Sequence, residues 1–96
     1  MLYALVAHDK ADGFEARTAA RPDHLKHLEA LGDTLVLAGP YLDEQGRMTG
    51  SIMVVEAETQ AEAEALFAKD PFMVQGVFER YDIRPWKLSI NKTAGR

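Results

Sequence analysis

Four short apolar segments, separated by two longer helical segments, are the feature that most constrains the fold of this chain. Each apolar segment has the length of a strand and is bounded by turn-forming or polar residues. Ahead of the second helical segment, Thr59 and Glu62 form a capping box, which is typical of a helix start. The predicted strands are Leu2–His8, Thr34–Ala38, Ser51–Val55 and Val77–Ile83, and the predicted helices are Phe14–Leu31 and Thr59–Lys69.

The order of these segments is β-α-β-β-α-β. With right-handed crossovers, this order predicts an α+β fold of the ferredoxin-like type, an antiparallel sheet with both helices on one face. A length of 96 residues suits a single domain. We expect this domain over residues 1–90, with a flexible C-terminal tail at residues 91–96. The polar stretch Tyr41–Gly50 is predicted to be a loop between the second and third strands.

The predicted strands are apolar on both sides. In the first strand, Leu2, Ala4 and Val6 point to one side, and the residues between them, which point to the other side, are also apolar. The second and third strands share this pattern. Because two helices cover only one face of a sheet, we expect the other face to pack against a second copy. The result would be a homodimer of the kind called a dimeric α/β barrel.

Composition excludes several classes of partner. The formal net charge of −4 argues against nucleic acid, because binding to phosphate groups requires a basic surface. The chain has no cysteine, so it has no disulfide, thiol nucleophile or cysteine-ligated metal. Its first residues lack the basic region and long apolar run of a signal peptide or membrane span. We therefore expect a cytoplasmic protein with neither a nucleic-acid nor a membrane partner.

Two residues near prolines are the best candidates for chemistry. His24 follows Pro22 closely, and Asp70 comes directly before Pro71. If the fold brings them together, they form an acid–base dyad, the smallest unit capable of proton transfer. Each also has a structural interpretation: His24 could pack at a helix end beside Leu28, and Asp70 could cap a short turn. These interpretations are compatible with each other, because one carboxylate oxygen can cap while the other orients His24.

Pro22 leaves two interpretations of the first helix open. It could stand in the first turn of a helix, a favourable position for proline. His24 would then lie near the positive end of the helix dipole, which disfavours a protonated ring. Alternatively, the helix runs through Pro22 without a break.

An unbroken helix would place Arg17, Arg21 and His24 in one stripe, at positions i, i+4 and i+7. The two arginines repel each other at this spacing by roughly 0.2–0.5 kcal/mol. An acidic ligand, or a carboxylate from Asp9 or Glu15, would offset this repulsion. The stripe therefore predicts either an ion pair or a site for an anion.

No metal or cofactor is expected. His24 and His27 have a spacing at which two imidazoles can approach one metal, but the pattern specifies no third ligand. A catalytic triad, a phosphate-binding loop and a dinucleotide-binding fingerprint are all missing. Ser51 could offer a hydroxyl group to a ligand.

Several motifs make the chain similar to the YciI-like (YCII-related domain) family over about residues 1–86. The resemblance implies a ferredoxin-like fold, a homodimer, and a pocket that holds a His–Asp pair at His24 and Asp70. Family members are mostly uncharacterised, and some are linked to the breakdown of small aromatic or dienoic acids. The motifs are Leu2-Tyr3, Asp9-Lys10, Arg17, Arg21-Pro22-x-His24-Leu25, Ala38-Gly39-Pro40, Gly50-Ser51, Asp70-Pro71-Phe72 and Gly76-Val77-Phe78-Glu79.

Together these features predict a small cofactor-free enzyme of the lyase or isomerase type that acts on a small acidic organic molecule. His24 would take a proton from a carbon next to a carbonyl or carboxylate, and Asp70 would orient the imidazole and stabilise the imidazolium. Aromatic residues would build the pocket walls, and other residues would bind the substrate. The wall residues are Tyr3, Phe72 and Phe78, and the substrate-binding residues are Arg21, Arg17, Ser51 and Asp9.

Two alternatives belong to other functional classes. The chain could be a non-catalytic binding or accessory module for an acidic metabolite, or a purely structural dimer that serves another enzyme. A histidine with one nitrogen facing a pocket and the other on Asp70 would favour the enzyme.

Overall fold

The computed structural model describes residues 1–96 and contains one four-stranded antiparallel sheet. The elements are β1 (Leu2–Asp9), α1 (Phe14–Leu31), β2 (Leu35–Leu42), β3 (Met48–Glu56), α2 (Gln60–Ala68), α3 (Pro71–Val74) and β4 (Phe78–Trp86). The strand order is β2-β3-β1-β4, the order of a ferredoxin-like fold. The predicted α+β fold class is therefore confirmed. None of the helices combines the length and the apolarity needed to cross a membrane.

The helix α1 is continuous through Pro22. The interpretation in which the helix begins at Pro22 is therefore wrong. His24 lies inside the helix, so the dipole at the N-terminus does not act on it. Proline removes one donor from a helix, the partner of the carbonyl group four residues earlier. Here that carbonyl belongs to Thr18, which is exposed, so water can satisfy it.

The strands β2 and β3 are longer than predicted, and the expected loop Tyr41–Gly50 shrinks to a tight turn between them. In this turn the carboxylate of Asp43 accepts hydrogen bonds from the backbone N–H groups of Gln45 and Arg47, each at 2.9 Å. Pro40 does not end β2, because β2 is an edge strand, where a missing N–H group need not break the ladder.

Side chains of alternate residues along each strand point to opposite faces of the sheet. One face, which we call the covered face, packs against all three helices and contains the core. The opposite face, which we call the open face, carries Val6 of β1 and Ile52 of β3, which are paired across the two strands. The core residues of the covered face include Tyr3, Leu5, Ala7, Met53 and Val55, which pack with Ala20, Ala63, Phe67, Phe72, Val77 and Phe78.

Candidate functional site

His24 and Asp70, which are 46 residues apart in the chain, are in direct contact. The Nδ1 atom of His24 lies 2.7 Å from Oδ1 and 2.9 Å from Oδ2 of Asp70. Asp70 is also the N-cap of α3, where its Oδ1 accepts a hydrogen bond of 2.9 Å from the backbone N–H of Phe72. Pro71 occupies the first turn of this helix, which is a favourable position. The capping contact and the contact to His24 therefore coexist.

This contact leaves the Nε2 atom of His24 free. A carboxylate accepts hydrogen bonds, so Nδ1 carries a proton, and Nε2 of the neutral ring keeps a lone pair. No buried side-chain nitrogen or oxygen in the chain lacks a partner. Since Nε2 has no partner in the protein, it must reach solvent, and His24 lines a cavity between α1 and the sheet. The ring therefore has one nitrogen held by a buried carboxylate and one nitrogen without a partner in the protein.

Phe72 lies against the imidazole of His24. The two ring centroids are 3.8 Å apart and the ring planes differ by 9°. The guanidinium carbon of Arg17 lies 4.5 Å from the centroid of the same phenyl ring. Phe78 meets Phe72 edge to face at 5.8 Å. Two members of the stripe on α1 thus contact one aromatic ring from α3.

Arg17 is buried, and its partners account for its charge. Its Nε donates to Oδ2 of Asp9 at 2.6 Å, and one terminal nitrogen donates to Oδ1 of Asp9 at 3.1 Å. The same terminal nitrogen donates to the hydroxyl oxygen of Ser51 at 2.7 Å. Asp9, rather than Glu15, is the carboxylate that offsets the repulsion within the stripe. Because the oxygen of Ser51 already accepts from Arg17, its own hydrogen remains available to a ligand.

Arg21 differs from Arg17 in having no ion pair or hydrogen bond within the chain. It is half-buried and lines the same cavity as His24. A guanidinium group cannot lose its proton at physiological pH, so this cavity holds a permanent positive charge. The combination of an unpaired cation and an accessible imidazole nitrogen suits a small molecule with a negative charge.

The cavity has a volume of about 100 Å³ and has a polar and an apolar wall. An apolar cavity of about 150 Å³ accommodates benzene, so a volume near 100 Å³ suits a small organic acid or part of a single ring. The small residues of the segment Ala38–Pro40 on β2 leave this space open beside α1. The polar wall is formed by Arg17, Arg21, His24 and Ser51, and the apolar wall by Leu25, Leu28 and Met53.

The prediction that aromatic residues form the cavity walls is wrong. Tyr3, Phe72 and Phe78 belong to the buried core, and none of them lines the cavity. The apolar wall comes instead from Leu25 and Leu28. These two follow Arg21 at i+4 and i+7, so the helical spacing itself could have identified them.

A second and larger cavity, of about 700 Å³, lies between the β1–α1 loop and the β2–β3 turn. Asp9 lines this cavity, whereas its partner Arg17 lines the smaller one. The ion pair therefore forms part of the partition between the two cavities. In the larger cavity Arg47 is paired with Asp43, and its guanidinium carbon lies 6.0 Å from the ring centroid of Phe14. No three His, Asp or Glu side chains converge anywhere in the chain to hold a metal ion.

Comparison with known proteins assigns the chain to a family. Residues 1–87 match the model of the YCII-related domain. The chain belongs to this family. The protein YciI of Escherichia coli O6:H1 is 38% identical over 95 residues, which cover 91% of this chain and 97% of YciI. An uncharacterised protein of Haemophilus influenzae is 30% identical over the same share of both chains.

A solved structure supports the fold. It is the 5-chloro-2-hydroxyhydroquinone dehydrochlorinase TftG from Burkholderia phenoliruptrix AC1100, in complex with 2,5-dihydroxybenzoquinone. This enzyme is 29% identical to the YCII-related chain described above, and the match covers 93% of this chain and 96% of the enzyme. The TM-score of 0.84 shows that the two share one fold over nearly their whole length.

Proposed function

We propose that this YCII-related protein is a small-molecule enzyme that transfers a proton, of the lyase or isomerase type, with an acidic organic substrate. One observation carries the proposal: Nδ1 of His24 is 2.7 Å from a buried carboxylate oxygen of Asp70, while His24 lines the cavity and its Nε2 has no partner in the chain. In this arrangement one side of the imidazole is held and the other is available. A histidine used only for packing would not need an accessible nitrogen.

The proposed reaction begins at Nε2 of His24. This atom takes a proton from a carbon next to a carbonyl or carboxylate group, and the electron pair of the C–H bond forms an enolate. Asp70 stays ionised, holds the Nδ1–H tautomer, and stabilises the imidazolium that results. The enolate then either takes the proton back at another carbon, which is isomerisation, or expels a leaving group from the neighbouring carbon, which is elimination.

Two further groups would stabilise the negative charge that develops on oxygen. Arg21 has no competing carboxylate in the chain. Its guanidinium is therefore free to donate two hydrogen bonds to an anionic group of the substrate. Ser51 accepts from Arg17 and can donate its hydrogen to the same oxygen. Arg17 and Asp9 would act indirectly, by fixing the position of that hydroxyl group.

Similarity to a dehydrochlorinase supports elimination as the reaction. Loss of HCl from a chlorinated hydroxyhydroquinone first moves a hydroxyl proton to the ring carbon that bears chlorine. A base then takes the proton of a second hydroxyl group, and the electrons of that O–H bond, passed through the ring, expel chloride and leave a hydroxyquinone. His24 could act as this base beside the cation of Arg21, and the cavity of about 100 Å³ would hold part of such a ring. The fold shared with that enzyme extends over 93% of this chain.

The test compares His24→Gln with His27→Gln, because both residues lie on α1 and only His24 lines the cavity. Chloride release from 5-chloro-2-hydroxyhydroquinone would be followed under anaerobic conditions. We expect the wild-type protein and His27→Gln to accelerate release, and His24→Gln to lose about 10²–10⁴-fold of the rate. Equal rates for the two variants would contradict the assignment of His24 as the base.

The unpaired charge of Arg21 also favours a second function, a binding module for acidic metabolites. An unpaired guanidinium at a cavity binds a carboxylate whether or not His24 moves a proton. Deuterium exchange separates the two functions. An enzyme should transfer deuterium from D₂O into the α-carbon of at least one bound acid in a panel of small carboxylic acids. A binding module should retain the acid unlabelled.

We also propose that the protein is a homodimer. The open face carries Leu37 on β2 and Ile52 on β3, each 37% exposed. Ala4 and Val6 lie on the same face of β1, next to β3. An apolar sheet face that no helix covers is a poor surface for water, and a second sheet covers it most simply. The cavity lies on the covered face, so each subunit would keep its own site.

A further inference from the structure

Phe72 contacts three of the polar residues at the site, although it does not line the cavity itself. We propose that Phe72 is a positioning residue that holds the ring plane of His24 and stabilises the protonated imidazole. The proposal rests on the proposed role of His24 as a base and adds a residue that controls this base. No substrate needs to touch Phe72 for it to have this effect.

The geometry links Phe72 to both members of the dyad. Its ring lies parallel to the imidazole of His24 at 3.8 Å, and its backbone N–H donates to Oδ1 of Asp70 at 2.9 Å. The orientation of the imidazole is therefore set on its face by the phenyl ring and at its edge by the carboxylate. Rotation of the imidazole about its Cβ–Cγ bond would break both contacts at once.

The ring of Phe72 has little freedom to move. Its side chain is fully buried, with 0% exposure, and Phe78 packs edge-on against it at 5.8 Å. The residue lies in the first turn of α3, directly after the capped start formed by Asp70 and Pro71. The phenyl ring thus serves as a fixed support against which the imidazole is held.

The stacking geometry favours the charged form of the imidazole. Two neutral aromatic rings prefer offset or edge-to-face arrangements with centroids about 4.5–7 Å apart. The distance of 3.8 Å between His24 and Phe72 is shorter than this range, and the rings are almost parallel. A cation over the negatively polarised face of a phenyl ring is attracted to it within about 6 Å. When Nε2 takes a proton, Phe72 therefore stabilises the product of the proton transfer.

Other charges also surround His24, and they must stay constant in any test. The charged groups that contact it or share its cavity are Asp70, Arg17 and Arg21. Arg17 also lies 4.5 Å from the ring centroid of Phe72, while its own charge is balanced by Asp9. A test should therefore change the electron density of the phenyl ring without changing its shape or any charge.

Fluorination meets this requirement. Site-specific replacement of Phe72 with mono-, di- and trifluorinated phenylalanine withdraws electrons from the ring face stepwise and nearly preserves its size. The readout is the pH midpoint of the His24 titration, followed by the ¹⁵N signals of the imidazole. We expect the midpoint to fall with each fluorine, by about tenfold in the protonation constant over the series. The same analogues at Phe78, which touches Phe72 but not the imidazole, should leave the midpoint unchanged.

A second pair of variants tests the orientation of the ring. We expect Phe72→Leu to lose the single Nδ1–H tautomer in the ¹⁵N spectrum, whereas Phe78→Leu should keep it; circular dichroism checks that both fold. A midpoint that does not depend on fluorine at Phe72, or that responds equally at Phe78, would overturn the proposal. These measurements need no substrate. A fluorine trend without chloride release would therefore reject the proposed elimination and support the role of Phe72.

Discussion

The covered face of the sheet buries polar side chains, whereas the open face exposes apolar ones. On the covered face four polar side chains are buried, and each has a partner; they are Arg17, His24, Ser51 and Asp70. On the open face, Leu37 of the edge strand β2 and Ile52 of the inner strand β3 are exposed apolar residues. Neighbouring residues along one strand therefore lie in contrasting environments, because side chains of a strand alternate between the two faces.

This difference supports the two proposals, a reactive site on the covered face and a dimer interface on the open face. Burial of an unpaired polar group costs free energy, so a folded chain pairs nearly all of them. On the covered face the groups left free are Arg21 and Nε2 of His24, and both are at the cavity. The open face has no buried polar network. Its apolar surface suits association, whereas the covered face suits chemistry.

One glycine shows how closely the open face is packed. His8 and Tyr41 stack at 5.5 Å above the strand between them, where Gly50 is paired with both. A Cβ atom at Gly50 would lie 2.5 Å from the carbonyl oxygen of Ala7 and 2.7 Å from the ring of Tyr41. The open face is therefore closely packed at this end of β3, where a side chain at position 50 has no room.

The largest expected effect comes from the covered face. Arg17→Met leaves the carboxylate of Asp9 buried without its partner, which should lower the free energy of unfolding by about 3–5 kcal/mol. Urea denaturation measures the change. Arg47→Met is the control, because Arg47 pairs with Asp43 in an exposed i,i+4 arrangement and its loss should change the free energy of unfolding far less. Similar losses in the two variants would contradict the distinction between buried and exposed pairs.

The open face is tested by Ile52→Glu. Ile52 is exposed in the single chain, so the charge should not disturb the core, but it would lie in the dimer interface. We expect the dissociation constant of the dimer to rise at least about 100-fold, as measured by sedimentation velocity at micromolar concentration. Val74→Glu places the same charge on an exposed residue of α3 and should leave the dimer intact. A wild-type protein that sediments as a monomer would exclude the homodimer.

The free cation on the covered face is tested by calorimetric titration with 2,5-dihydroxybenzoquinone. Arg21→Ala removes a charge-assisted hydrogen bond, which should weaken binding about tenfold to a hundredfold. Lys26→Ala removes the same charge from an exposed position on α1 that does not line the cavity. Equal affinities of the two variants would show that Arg21 does not bind the ligand.

The smallest effect is expected at the turn beyond the sheet. The backbone N–H of Arg47 lowers the pKa of the Asp43 carboxyl below its ordinary value of 3.8, and a second backbone bond from Gln45 acts in the same direction. A lowered pKa in the folded state stabilises the turn above 3.8, and this contribution is lost as the pH falls through the lowered value. Amide chemical shifts of the turn should therefore change at a pH below 3.8. In Asp43→Asn they should not depend on pH in this way.

Local patterns in the sequence were sufficient for the order of the four strands and the two predicted helices, and for the capping residues Thr59 and Asp70. They did not show that the short turn after Asp70 is a helix, α3. The cap at Thr59, whose hydroxyl accepts from the backbone N–H of Glu62, and the cap at Asp70 each join groups two or three residues apart, and both form. The second half of the capping box differs from the prediction, because the carboxylate of Glu62 accepts from the backbone N–H of Glu58 and not from that of Thr59. The ends of the strands were less accessible to sequence analysis. Pro40 is a stop signal in most contexts, and only the position of β2 at the sheet edge makes it harmless.

The sequence alone determined the α+β fold class, the family, and the two candidates His24 and Asp70. The tertiary structure decided that α1 passes through Pro22, which of two carboxylates pairs with Arg17, and that Arg21 remains unpaired. It also placed the phenyl ring of Phe72 against the imidazole of His24, 48 residues earlier in the chain. Periodicity and capping depend on residues a few positions apart, so sequence reveals them. Which distant side chains meet depends on strand register and on how the helices pack, and these are settled only when the whole core forms.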